Sequence, residues 1–262
     1  MPALLRFELF KLTHRLMPRA MVLVVVGGPL AAYLLLGVLP EEGDSNVNEL
    51  RIGNVPTDGM FIVYQLGMIL AVSLAASSMA TEYSWGTLRT VLPRTAGRSA
   101  FLTAKLASLG LFAVVIVVCG LAAALVGSTL VTELRDLDGS VGSGFAGQVL
   151  ESLVRTVWSV LPYGALAFVV ALWSRSSAAG IAIPIVVFYA EVLLTPLFTS
   201  IGALNWLPYA LIYNNITAVL GTHALLPEGD IPGAWQAAGV LAAHLTAFIA
   251  LAYGRFLTRD VT

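Results

Sequence analysis

The sequence has few charged residues, two lysines and a single cysteine. Only 11% of its 262 residues are charged and 58% are hydrophobic, whereas about a quarter of the residues in a soluble domain are charged. This shortage of charge excludes an ordinary water-soluble fold. The formal net charge of -1 offers no basic face for nucleic acid. With Cys119 as its one cysteine, the chain has neither a disulfide framework nor a thiolate metal site.

The motifs that define common enzymes are also missing. The three histidines are scattered, and none belongs to an HExxH zinc-protease motif. The serines of the apolar stretch at 60–80 have no His, Lys or Asp on the same stretch to act as a base. A Walker A loop requires a lysine after a glycine, but Phe10 precedes Lys11 and Ala104 precedes Lys105. We therefore predict a chain that is not an enzyme and binds no cofactor, so that any ATP is hydrolysed by another polypeptide.

Six apolar stretches approach the roughly 20 residues that a helix needs to cross a bilayer. They cover residues 21–39, 60–80, 106–131, 146–173, 178–197 and 235–253. The sequence therefore predicts an all-α integral membrane protein, in contact with lipid, that forms one transmembrane domain over residues 1–262.

The distribution of basic residues predicts the orientation of these helices, because Lys and Arg accumulate in cytoplasmic loops. An arrangement with both termini in the cytoplasm leaves only Arg51, Arg135 and Arg155 on the outer side. The cytoplasmic basic residues are then Arg6, Lys11, Arg15, Arg19, Arg89, Arg94, Arg98, Lys105, Arg175, Arg255 and Arg259. We expect a multi-pass protein of the plasma (inner) membrane.

Residues 2–17 precede the first apolar stretch and have a helical pattern of their own. Glu8 and Lys11 lie beside leucines that repeat at helical spacing, namely Leu5, Leu9, Leu12 and Leu16. This pattern predicts an amphipathic helix along the cytoplasmic membrane surface. Phe7 and Phe10 do not belong to the leucine stripe.

Residues 200–227, between the last two apolar stretches, contain apolar pieces too short to span a bilayer. Segments of about 10 to 14 apolar residues usually do not cross. We predict a re-entrant or interfacial hairpin on the outer side. Trp206 and Tyr209 would anchor it at the membrane interface, where aromatic side chains accumulate.

The cytoplasmic connection after the second stretch is the most informative segment. Residues 82–92 contain enough apolar positions for a short helix that Pro93 would end. Trp85 and Leu88 would fill a pocket of a partner protein, Gly86 would allow close backbone approach, and Arg89 would meet an acidic rim. The alternative is a basic loop that only fixes the topology.

This connection resembles the signature of ABC-2 type transporter permeases. The matching residues are Glu82, Gly86, Thr87, Leu88 and Arg89, followed by Leu92, Pro93, Arg94, Arg98, Lys105 and Leu106. The resemblance extends to the pattern at the start of the chain, Phe7-Glu8-Leu9-x-Lys11-Leu12, to the six spans and to the outer hairpin. It departs from the family pattern where Arg98 precedes Ser99, since many relatives have Ser before Arg.

The resemblance implies a half-transporter, in which two permease chains work with two separate ATPase chains. The segment 82–92 would be the coupling helix that sits in a groove of the ATPase. The contacts with the ATPase would be made by Glu82, Tyr83, Trp85, Gly86, Thr87, Leu88 and Arg89. The expected function is export of a hydrophobic or amphipathic compound, such as a drug, a peptide antibiotic or a lipid-like molecule. The two permease chains would form a homodimer or a heterodimer.

Glu191 is the one acidic residue predicted within a span, between Pro184 and Pro196. An intramembrane carboxylate suggests a functional site, because its burial is unfavourable. Glu191 is therefore a candidate for the translocation pathway; a structural hydrogen bond or simple solvation are the alternatives. Three functional alternatives also remain, namely an ion exporter of the same ABC class, an ion-coupled secondary transporter and a channel.

Overall fold

A computed structural model describes residues 2–39, 50–86, 97–222, 225–226 and 230–258. Of these described residues, 87% are helical and none is in a strand. The α-helices of the described part are α1 (Pro2–His14), α2 (Leu16–Val38), α3 (Met60–Ser84), α4 (Arg98–Leu134), α5 (Phe145–Ser174), α6 (Ser177–Ser200), α7 (Ile212–Leu220) and α8 (Ala234–Thr258).

Six of these helices, α2 to α6 and α8, are long and apolar enough to cross a membrane. They confirm the predicted all-helical class with six candidate spans, and each overlaps one predicted stretch. Large apolar side chains also cover the outside of the bundle, as at Leu23 of α2 and Leu193 of α6, which are 73% and 75% exposed. Such a surface is unfavourable in water and suits lipid. The chain therefore has the features of a multi-pass membrane protein.

Helices α3 and α5 pack most extensively against each other and form the centre of the bundle. Helix α2 packs on α4, α6 packs on α3 and α5, and α8 packs on α5 and α7. Gly180 of α6 allows close packing, because a β-carbon there would lie only 2.8 Å from the β-carbons of Ala76 and Ala171. Small residues at helix contacts of this kind are typical of membrane bundles.

Two hydrogen bonds show which helix ends lie together. At one end, Arg98 Nη1 at the start of α4 donates to the Leu257 carbonyl at the end of α8 over 3.4 Å. At the other end, Arg135 Nε donates to the Gly37 carbonyl of α2 over 2.8 Å. Since the described spans are even in number, α1 and the last turn of α8 share one end. We call this the α1 end, and the opposite end, which contains α7, the α7 end.

Helix α1 has its charged side toward the protein. Glu8 is 6% exposed, whereas Phe7 and Phe10 are 47% and 57% exposed. The leucine stripe of the sequence ends earlier than predicted, because the backbone leaves the helix at Arg15 and Leu16 begins α2. The two phenylalanines off that stripe therefore form the outward face of α1.

The described part of residues 200–227 folds into two short 3-10 turns, Gly202–Leu204 and Leu207–Ala210, followed by α7. All nine residues of α7 are buried. Trp206 is 60% exposed and Tyr209 is half-buried. Gly221 ends α7 with a left-handed backbone (φ +73°) that favours glycine.

Residues 82–84 form the last turn of α3 rather than the start of a separate helix. Trp85 caps α3, and its N–H donates to the Thr81 carbonyl over 3.0 Å. Gly86 follows with φ +64°. The rest of the predicted coupling helix, including Thr87, Leu88 and Arg89, lies outside the described residues.

Candidate functional site

Four charged side chains meet at the α1 end, and we call them the charge cluster: Glu8, Lys11, Glu82 and Lys105. Lys11 Nζ donates to Glu8 Oε1 over 2.7 Å and to Glu82 Oε1 over 2.8 Å. Lys105 Nζ donates to Glu82 Oε1 over 3.1 Å and to Glu8 Oε2 over 3.3 Å. Each ammonium therefore contacts both carboxylates, and the two positive charges balance the two negative ones.

Three helices supply the charge cluster. Glu8 and Lys11 lie three residues apart on α1, so that both project from one face of the helix. Glu82 is in the last turn of α3, and Lys105 lies two turns into α4. Lys105 also donates to the Ser78 carbonyl of α3 over 3.1 Å. The cluster thus joins α1 to the ends of two spans that flank the predicted coupling segment.

The charge cluster is buried, which makes its pairing important. Lys105 is 1% exposed and Glu82 is 4% exposed. Removing one partner from a buried ion pair leaves a charge that neither water nor protein compensates, and the resulting loss of stability is large. The described contacts supply charge balance and hydrogen bonds, with no nucleophile and base in a catalytic arrangement. The cluster is therefore suited to holding helices together.

Aromatic side chains continue from the cluster to the surface. The Arg15 guanidinium lies 5.5 Å from the centre of the Trp85 ring, and Arg175 lies 5.2 Å from the centre of the Tyr83 ring. Both distances are in the range of cation–π contacts. Trp85 is nevertheless 68% exposed, and a β-carbon at Gly86 would have nothing within 4 Å.

The structure therefore brings Glu82, Tyr83, Trp85 and Gly86 together at the end of α3, as their sequence positions require. Sequence reasoning did not include Glu8, Lys11 and Lys105 among the site residues, although all three belong to the patterns that carry the family resemblance. A usable signal was present, since the chain has only two lysines and both join this cluster.

Lys105 differs from the expectation in its surroundings. We predicted it in a cytoplasmic loop before the third span, but α4 begins at Arg98 and includes it. Lys105 therefore lies within this helix, and its charge is neutralised by Glu8 and Glu82 inside the protein. A hydropathy pattern cannot show such neutralisation.

Glu191 lies apart from the charge cluster, in the part of α6 that contacts α7. It is 8% exposed, so it is not solvated as one alternative proposed. Its Oε2 accepts hydrogen bonds from the Tyr163 hydroxyl over 2.9 Å and from the Tyr213 N–H over 2.6 Å. Tyr213 is the second residue of α7, so the carboxylate caps the positive end of that helix. These contacts give Glu191 a structural role in joining α5, α6 and α7.

Several other side-chain oxygen atoms are buried and have no hydrogen-bond partner among the described residues. They are the hydroxyls of Tyr64, Thr156, Ser159 and Thr222 and the side-chain carbonyls of Asn214 and Asn215. Buried polar atoms normally have a partner, which is often water. The interior therefore offers hydrogen-bonding capacity that the chain itself does not use.

An apolar cavity of about 200 Å³ lies among α3, α4, α5 and α8. Its walls include the small residues Ala71, Gly110 and Gly164 and the large side chains of Phe168 and Leu245. Within the described ranges, no group of three or more His, Cys, Asp or Glu side chains is placed to hold a metal ion.

Comparison with known proteins identifies the family. The family model described as "Protein of unknown function (DUF2705)" matches residues 22–262, and the chain belongs to this family. A search of curated proteins found no match.

Proposed function

We propose that this DUF2705 protein is the permease subunit of an ABC transporter, driven by ATP hydrolysis in a separate chain. The observation that carries the proposal is the charge cluster. All four of its residues, Glu8, Lys11, Glu82 and Lys105, lie in the segments that resemble ABC-2 type permeases, and the cluster unites these segments next to the exposed Trp85.

This arrangement suggests how motion would reach the membrane. An ATPase that binds the exposed end of α3 would push on Trp85 and Gly86 when nucleotide closes it. Because Glu82 is tied to α1 through Lys11 and to α4 through Lys105, the three helices would move as one body. Rigid-body movement of packed helices is a common way to change the shape of a passage. A second permease chain would form the other side of that passage.

The interior favours an apolar or amphipathic substrate. The cavity of about 200 Å³ has aliphatic and aromatic walls, and its lining residues carry no charged side chain. Ligand sites of this kind are typically apolar with few polar groups. In the proposed orientation the α1 end faces the cytoplasm, where the ATPase works, and transport proceeds outward. The protein would then be a multi-pass component of the plasma (inner) membrane with both termini in the cytoplasm.

Ion-coupled transport is the second candidate. It is favoured by the buried carboxylate of Glu191 and by the polar atoms without partners at Tyr64 and Asn214. A buried acid with unpaired polar groups in the same protein is a feature of ion pathways. However, the Tyr163 hydroxyl and the Tyr213 N–H both donate to the Glu191 carboxylate, which favours the structural role.

Co-purification with candidate ABC ATPases tests the proposal. We expect a stable complex with the native chain and its loss in Trp85→Ala, because an exposed aromatic side chain is a typical anchor for a partner. Trp206→Ala is the matched control, since Trp206 is similarly exposed, at 60%, but lies in the segment that leads to α7. Failure of the native chain to bind any ATPase, or equal losses in the two variants, would count against the proposed coupling site.

A further inference from the structure

A second cavity, open to the outside and larger than the first, lies at the α7 end. This groove has a volume of about 580 Å³ and runs between the first turns of α5 and α8, with the end of α7 beside it. Its walls are formed by Gly147, Leu150, Val154, Trp158, Val219 and Trp235. The volume falls within the range of about 300 to 1,000 Å³ that is usual for small-molecule sites.

The groove opens toward the surroundings of the bundle. Leu150 and Val154 of α5 are 63% and 59% exposed, and Trp235 of α8 is 92% exposed. At the inner wall, Trp158 Nε1 donates to the Ala238 carbonyl over 3.3 Å, which ties α5 to α8. The groove is therefore fixed by the packing of two spans and has apolar walls that are accessible from the lipid.

One pair of opposite charges lies in this otherwise apolar lining. Arg155 and Glu151 are one turn apart on α5 and form an ion pair. Their side chains remain 37% and 58% exposed, so both are accessible to a ligand. A β-carbon at Gly221 would lie 4.0 Å from Arg155 Nη1. The guanidinium therefore lies near the carboxyl end of α7, where a positive charge is favourable.

We propose that this groove binds a zwitterionic phospholipid from the surrounding leaflet. Helix α5 enters the bundle from the α7 end, so Arg155 lies deeper than Glu151 by about 6 Å of helix rise. A phospholipid such as phosphatidylethanolamine presents its charges in the same order, with the phosphate nearer the acyl chains and the ammonium outside. The phosphate thus pairs with Arg155 and the ammonium with Glu151, while the acyl chains begin at Trp158, the lining residue that lies deeper than Arg155 on α5.

The net charge of the site selects the headgroup class. Arg155 and Glu151 together carry no net charge, so an anionic lipid would leave the carboxylate beside another negative group. An arginine fork also matches phosphate geometry well. Indole side chains such as those of Trp158 and Trp235 are favourable at the membrane–water interface. This inference requires only that α5 and α8 span a bilayer, and it is independent of any ATPase partner.

Fluorescence of the two groove tryptophans, Trp158 and Trp235, tests the inference directly. The full chain is prepared in detergent with Trp85, Trp173 and Trp206 replaced by Phe, and phosphatidylethanolamine with brominated acyl chains is added. We expect saturable quenching of the groove tryptophans at low lipid-to-protein ratios. Brominated diacylglycerol, which has no charged headgroup, and brominated phosphatidylglycerol are expected to bind more weakly.

Charge variants separate headgroup recognition from loss of folding. Arg155→Gln should weaken phosphatidylethanolamine binding about tenfold, the effect of one lost hydrogen bond to a charged group. Arg155→Lys should retain most of the binding. Glu151→Gln leaves a positive site and should reverse the preference toward phosphatidylglycerol. Glu133→Gln, an exposed acid at the same end on α4, is the matched control and should change nothing.

Three outcomes overturn the inference. One is equal quenching by the brominated diacylglycerol, which would show that only the apolar walls bind. Another is quenching that rises without saturation. The third is cross-linking of Val154→Cys to a second copy of the chain at every lipid concentration, which would show that the groove is a contact between protomers.

Discussion

The side chain of Lys105 connects parts of the chain that are far apart in sequence. Its ammonium contacts Glu82, 23 positions away, and Glu8, 97 positions away. Two carboxylates meet here with two ammoniums, so the charges balance only when α1, α3 and α4 are all in place. The neutralisation of Lys105, the most buried member of the charge cluster, therefore depends on all three helices.

Replacing Lys105 with Met should destabilise the protein by about 3 kcal/mol, because two buried carboxylates would then share one ammonium. The double variant Lys105→Met with Glu82→Gln should lose less, since Glu8 and Lys11 remain a balanced pair. Thermal unfolding in detergent measures both effects. Arg255→Met, at an exposed position of the same end, is the control. A double variant as unstable as the sum of its single variants would show that the charges act independently.

Gly86 is a position where backbone and surface effects can be separated. Its φ of +64° is unfavourable for other residues by about 1 kcal/mol, whereas asparagine adopts this conformation readily. Gly86→Asn should therefore retain stability and activity. Gly86→Leu should express normally, because nothing lies within 4 Å of its β-carbon, but should uncouple ATP hydrolysis from transport. Normal ATP-driven transport in the Gly86→Leu variant would show that Gly86 is not part of the surface that binds the ATPase.

Single residues were only partly predictable. Gly86 was predicted inside a coupling helix of residues 82–92, whereas it follows the last turn of α3 with a positive φ, as glycines commonly do where a helix ends. The pairing of Lys11 with Glu82 was not predictable, because the two are 71 positions apart and nothing in either segment specifies the other.

At the scale of elements, α7 depends on polar contacts as well as packing. Asn214 Nδ2 donates to the Pro208 carbonyl over 3.1 Å, and Asn215 Nδ2 donates to the Tyr209 carbonyl over 2.8 Å. These bonds satisfy the carbonyls of the preceding turn, and the Glu191 carboxylate satisfies an N–H at the start of α7. The short helix is thereby held inside the bundle.

Glu191→Gln should lower the stability of the protein by about 2 kcal/mol, because an amide is a weaker acceptor and a hydrogen bond to a charged group is lost. Tyr163→Phe removes only one donor and should have a smaller effect. Thermal unfolding gives the stability, and a transport assay over a range of pH gives the function. If Glu191→Gln leaves transport and its pH dependence unchanged, the pathway role is excluded.

Hydropathy predicted the six long helices because their length is set by the bilayer. It did not predict the division of residues 200–227 into two short turns and α7. That division depends on hydrogen bonds of Asn214 and Asn215 to the preceding turn and of Glu191 from another helix, none of which changes the average hydropathy. It also did not predict the start of α4 at Arg98, because Arg98 and Lys105 lower the average hydropathy although both residue types are compatible with a helix.

At the level of the whole molecule, an ATPase in the cytoplasm can reach Trp85 only if the α1 end faces the cytoplasm. In a chain with Cys119→Ala, cysteine is introduced at Thr13, in α1, or at Ser143, in the loop before α5; both positions are exposed. A maleimide that does not cross membranes should label Ser143→Cys from outside intact cells, and Thr13→Cys only after the cells are opened. The reverse pattern would invert the orientation.

Transport in vesicles tests whether this chain moves a substrate with energy from a separate ATPase. The chain is reconstituted together with an ABC ATPase that co-purifies with it, and the movement of a fluorescent amphiphile is followed after ATP is added. We expect flux only with both chains and ATP, and its loss when the Walker A lysine of the ATPase is replaced. Flux through this chain alone, driven by a proton or ion gradient and independent of ATP, would show that the chain is not an ABC permease.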